Sequence, residues 1–148
     1  MTWWTYFVIP WAQVLSAHRE LMRRLAGDLA EVTGLSLGDF DVLAQLALAG
    51  GELRMSELAT RAFSSRSGMT RRVARLVDEG LVARGSDEAD ARGVVVAVTD
   101  AGVARLAEAA PVHLRGVVEL FVSQLTDKEL ALLKSALDKV TVDSSFGT

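Results

Sequence analysis

Residues 56–85 read "SELATRAFSSRSGMTRRVARLVDEGLVARG", and the spacing of apolar and basic residues within them decides the fold. With the two residues before it, the first part, "RMSELATRA", has the length of a short helix capped by Ser56. A second helix follows a brief turn. At about 100° per residue, Met69, Val73, Leu76 and Val77 fall into one apolar arc, and Ser67, Arg71, Arg72 and Arg75 take the other side. Gly80 stands where a left-handed residue ends such a helix. "LVARG" (81–85) and "VVVAVT" (94–99) then read as short strands joined by the polar loop "SDEADARG". The order of helix, turn, basic helix and hairpin predicts a helix-turn-helix followed by a hairpin, whose second helix suits a DNA major groove.

The flanks are helical. Upstream, Leu15, Leu21, Met22, Leu25, Leu29 and Val32 fall on one face at helical spacing, which predicts an amphipathic helix from Trp11 to Val32 with Pro10 near its first turn. Ser36 and Asp39 cap a second helix through Leu48, ended by Gly50 and Gly51. Downstream, Thr99 or Asp100 caps a long helix that Pro111 is expected to kink or restart. "TDKE" (126–129) matches a capping box, the last helix runs to about Val140, and "DSSFGT" reads as a frayed tail. The fold class is therefore mainly α with a small β-hairpin wing, divided into residues 1–34, 35–99 and 100–148. The apolar stripes of the first and last segments exceed what one chain can cover, so a homodimer of terminal helices is expected.

Charge is segregated along the chain. Its 148 residues carry formal net charge −3, yet residues 53–84 hold seven arginines against Glu57, Asp78 and Glu79. A local basic surface on an acidic protein is the electrostatic footprint of polyanion binding. Arginine outnumbers lysine thirteen to three, a codon signature of a GC-rich bacterial genome. With no cysteine, thiolate catalysis, thiol redox sensing and disulfides are excluded, which fits a cytoplasmic bacterial protein. His18 and His113 are the only histidines, a poor basis for a metal site, and no cofactor is called for. No phosphate loop or nucleophile–base pair argues for an enzyme. The aromatic start, "MTWWTYFVIPWAQVL", lacks the basic region of a targeting peptide and is too short to span a bilayer. It reads as packing on a partner chain, not on a membrane.

Three stretches, "GLSLGDFDVLAQL", "ELATRAFSSRSGMTRRVARLVDEGLVAR" and "DEADARGVVVAVTDAG", resemble the multiple-antibiotic-resistance regulator (MarR) family in order and spacing. The resemblance covers nearly all of residues 11–140. It implies a homodimeric transcriptional regulator, generally a repressor, on pseudo-palindromic promoter DNA. It also implies release by a small phenolic or lipophilic effector. Carried onto this chain, it puts Ser65, Arg66, Ser67, Thr70 and Arg71 near base edges, with Arg72 and Arg75 toward phosphates. Arg84, Asp90 and Arg92 belong to the wing, with Asp90 orienting Arg92 toward the minor groove. An effector pocket between the dimerisation helices and the winged helix would draw on Trp11, His18, Met22, Asp41 and His113. Urate-responsive relatives suggest another set from Trp3, Trp4, Trp11, Asp41, Arg72 and Arg84. The rival reading is a winged helix that has lost DNA readout and docks a protein.

Overall fold

A 31-residue helix, α1 (Trp3–Thr33), opens the chain. The structure is a computed structural model describing residues 3–62 and 64–141, with side chains from residue 5 onward. The helix continues back through Pro10 and so begins eight residues before the predicted start at Trp11. Proline's missing N–H removes a single bond from a long ladder, and here the helix absorbs it. The predicted C-terminal tail, and the side chains of Trp3 and Trp4, lie outside the described residues.

After α1, Gly34 at φ 70° turns the chain, and Ser36 caps α2 (Leu37–Leu48) by accepting from Asp39 N at 3.1 Å. Gly50 and Gly51, both at positive φ, release it into a short strand, β1 (Glu52–Arg54). This strand was not anticipated, because three residues are too few to show alternation. It leads straight into α3 (Met55–Arg61), which therefore starts before the expected cap. Arg54 takes the cap position and its N–H donates to Glu57 Oε2, whereas Ser56 lies in the first turn.

Ser65 caps α4 (Arg66–Asp78) through a 3.1 Å bond from Gly68 N, and Gly80 at φ 74° ends that helix's turn. Two strands follow, β2 (Val82–Asp87) and β3 (Asp90–Val98), joined at Glu88 and Ala89. The connection is much tighter than the eight-residue loop predicted. The sheet is antiparallel in the order β1-β3-β2, with Leu53 opposite Val96 and Arg84 opposite Val96 on the other side. Near the turn the register jumps: Ser86 pairs with Val94, but Asp87 pairs with Asp90.

Thr99 caps α5 (Asp100–Leu120), which runs through Pro111 without restarting. The break comes later, at a 3₁₀ turn (Val122–Gln124), before α6 (Asp127–Asp138). Its predicted capping box is present: Glu129 N donates to Thr126 Oγ1, and Thr126 N donates to Glu129 Oε2.

One core joins these parts. Leu29, Val42, Leu43, Leu46, Leu58, Met69, Val73, Leu76 and Val96 are all at most 1% exposed, each contributing about 1.5–3 kcal/mol of burial. Met69, Val73 and Leu76 are the predicted inner arc of α4. Two glycines permit close contact: Gly102 sits against the Leu81 carbonyl, and Gly116 against Leu25 of α1. Among the described residues no helix is long and apolar enough to cross a membrane, and no cluster of His, Asp or Glu could hold a metal.

Candidate nucleic-acid interface

The outer face of α4 begins with hydroxyls. Ser65 Oγ is used by the cap and lies 3.4 Å from Ser67 Oγ, while Thr70 donates to Arg66 O at 2.9 Å. Arg66, Ser67, Thr70 and Arg71 are exposed along this tip. A Cβ on Gly68 would come within 2.9 Å of Ser65 Oγ, so the small residue leaves room for the cap.

Arg72 and Arg75 are placed differently. Both reach back to Asp39 of α2, which is 4% exposed. Arg72 Nη1 lies 2.6 Å from Asp39 Oδ1, and Arg75 lies 2.7 Å from each carboxylate oxygen through Nη1 and Nη2. Arg72 also approaches Ser36 Oγ at 3.4 Å, and Arg75 meets Glu79 at 3.3 Å. Burial pushes the Asp39 carboxyl up. The bonds from Arg75, Arg72 and Ser36 outweigh that and hold it below the ordinary carboxylate range. The hydrogen bond to Asp39 raises the Arg75 guanidinium's pKa. Gly38 gives Arg72 its path, since a Cβ there would stand 2.5 Å from the guanidinium carbon. These two arginines therefore brace α4 on α2; in the sequence, Asp39 had shown itself only as a capping partner. No local pattern signals a bridge between residues more than thirty positions apart.

The wing meets the tip of α4. Arg54, Arg66, Thr70, Arg84, Asp90 and Arg92 line a cleft of about 310 Å³ together with Met55, Ser56, Gly93 and Val94. Five of the site residues named from sequence thus come together there: Arg66, Thr70, Arg84, Asp90 and Arg92. Arg54 was missed because it lies outside the basic helix and the hairpin. With Arg54 paired to Asp87, the guanidiniums of Arg66, Arg84 and Arg92 still outnumber the Asp90 carboxylate and make this an anion-attracting surface. Asp90 works through backbone geometry: its Oδ1 accepts from Arg92 N at 3.0 Å. Asp87 pairs with Arg54.

The proposed effector residues divide into two groups. Trp11 and His18 lie on an exposed stretch of α1, and Met22 is 37% exposed. Asp41 and His113 face each other electrostatically between α2 and α5, where Phe40 packs its ring 4.6 Å from that of His113. His113 Nδ1 is buried without a hydrogen-bond partner, and desolvation lowers its pKa. Desolvation pushes the Asp41 carboxyl up, and Gln45 lies 3.5 Å away.

A model of the MarR family matches residues 33–93. No curated protein matches the chain. Among solved structures, the chain is similar to AbsC, a MarR family transcriptional regulator from Streptomyces coelicolor, at 30% identity over 88% of each chain with a TM-score of 0.83. A second MarR family regulator from S. coelicolor, solved with DNA, is 29% identical over 95% of this chain and 87% of its own, with a TM-score of 0.86. A mutant of MarR from E. coli, complexed with operator DNA, is 26% identical over 96% and 100%, with a TM-score of 0.80.

Proposed function

The chain belongs to the MarR family of transcriptional regulators, and from that premise we propose that it acts as a homodimeric repressor on pseudo-palindromic promoter DNA. The observation that carries the reading is a basic cleft joining the tip of α4 to the wing. A helix tip with small hydroxyls fits a major groove, and a wing arginine beside it fits the neighbouring minor groove. Ser65, Arg66, Ser67, Thr70 and Arg71 are assigned to base edges and nearby phosphates, and Arg84 and Arg92 to the wing contact. Arg72 and Arg75 keep the helix on its scaffold and offer phosphates only their outward N–H groups.

Dimerisation is supported by unpartnered apolar faces at both ends of the chain. Ile9, Trp11 and Val14 are exposed on α1, as are Leu114 and Val118 on α5 and Leu132 on α6. The effector half of the proposal is a small phenolic or lipophilic molecule that enters beside Asp41 and His113. It releases DNA by favouring a dimer whose two α4 helices are wrongly spaced for successive grooves.

Fluorescence anisotropy tests this reading with two duplexes titrated at several salt concentrations: DNA from upstream of the gene and a scrambled control. A preference of about a thousandfold for the upstream duplex, with a steep salt slope, is expected. Equal, weak binding to both would overturn the reading in favour of a protein-docking surface. Arg71→Ala separates base from phosphate contact: a base reader loses about 1–3 kcal/mol and its sequence preference together.

A further inference from the structure

Arg92 stands in the middle of a break in the ladder. Because Ser86 pairs with Val94 and Asp87 with Asp90, residues Ala91, Arg92 and Gly93 form a three-residue bulge with no partners on β2. Bulges re-aim the side chains they carry. Two carboxylates hold this one. Asp90 bonds the Arg92 amide, as described above. Asp87, 13% exposed, lies against the bare face of Gly93, where a Cβ would stand 2.9 Å from Asp87 Cβ and 3.3 Å from its Oδ2. The Asp87 carboxylate has two jobs. Oδ1 accepts from Ala89 N at 2.9 Å and closes the turn, while the buried Oδ2, which has no hydrogen-bond partner, is held by charge against the Arg54 guanidinium. Arg54 ends β1 and occupies the cap position of α3. One acid therefore ties the wing's turn and bulge to the base of the helix-turn-helix.

We propose that Asp87 is a positioning residue for DNA binding: clamped by Arg54 across the space that Gly93 leaves, it fixes the bulge that projects Arg92. The proposal rests on the DNA-binding reading above. Its sign separates it from plain electrostatics. An acid beside DNA repels phosphate, so neutralising Asp87 and freeing Arg54 should by charge alone tighten binding and steepen its salt dependence. A positioning acid does the reverse, because Arg92 loses its fixed direction.

The experiment measures anisotropy on the upstream duplex for the wild type, Asp87→Asn, Gly93→Ala, Arg92→Ala and the Asp87→Asn/Arg92→Ala double variant. Amide hydrogen exchange across residues 84–94 is followed in the free proteins. Asp87→Asn is expected to weaken binding about tenfold, the size of one good groove contact. Exchange at residues 90–93 should quicken while the urea midpoint stays near that of the wild type. Gly93→Ala, which crowds Asp87 Cβ, the Asp90 carbonyl and the carboxylate with both charges intact, should reproduce both effects. In the Arg92→Ala background, Asp87→Asn should cost nothing further. Binding by Asp87→Asn as tight as wild type, or a full additional loss in that background, would overturn the proposal. If the wild type shows no preference for upstream DNA, the DNA-binding reading fails on that result. The clamp is then judged by exchange: quickening in Asp87→Asn supports it, and unchanged exchange overturns it.

Discussion

Replacing Asp39 removes the shared acceptor of Arg72 and Arg75 at a position 4% exposed. Asp39→Ala is expected to cost about 1–3 kcal/mol in urea denaturation, less than a fully buried pair because both arginines keep access to water. Gly38→Ala should cost less. It displaces the flexible end of Arg72 and leaves Arg75's two bonds to Asp39 in place. The pH dependence follows from the lowered Asp39 pKa. The unfolded carboxyl binds protons first, so this stabilisation is complete above the ordinary carboxylate range and is lost as pH falls through the lower folded value. His113 acts at milder pH. Burial lowers its pKa, so the unfolded state takes up the proton first and stability declines as pH falls from about 6.5 toward the folded value. Urea midpoints at pH 7.5 and 5.5 should differ more for wild type than for His113→Asn.

Between elements, close approaches decide what can be exchanged. Gly102 in the first turn of α5 lies under the Leu81 carbonyl, and an added Cβ would sit 2.1 Å from that oxygen. The obstacle is backbone, so Gly102→Ala should destabilise by about 2 kcal/mol or more, read from the thermal midpoint. The helices, and the caps at Ser36 and Thr126, were legible in the sequence because periodicity and capping residues act within a few positions, although Ser56 gave way to Arg54 as the cap of α3. Ser36 and Thr126 cap as their neighbours foretold, and Met69, Val73 and Leu76 turn inward as the helical wheel required. What the sequence hid was set by distant partners. β1 exists because Leu53 pairs opposite Val96, more than forty positions away. The charged, glycine-containing stretch 86–93 looks like loop, yet becomes strand ends around a bulge once Asp87 finds Arg54. The bracing of Arg72 and Arg75 likewise needs Asp39, so the basic face read from the wheel is partly a scaffold joint.

For the whole molecule, the proposed homodimer would cover the exposed apolar faces on α1, α5 and α6 and make stability depend on concentration. Dilution from about 10 µM to 0.1 µM should lower the thermal midpoint, and Leu132→Glu, placed on a 60% exposed face, should give a monomer in sedimentation with weakened DNA binding. The contact of Gly116 with Leu25, and the bond from Arg105 to the Thr33 carbonyl, join helices on either side of the winged helix. Closing that contact in an unfolded chain means ordering a loop of roughly ninety residues before any reward is gained. Prior assembly of the winged helix takes up most of that loop and brings the ends of α1 and α5 together. Connectivity therefore predicts an order of assembly in which the winged helix forms early and the α1–α5 clasp shuts late. Stopped-flow refolding should record it, with Leu46→Ala slowing folding and Leu25→Ala mainly hastening unfolding.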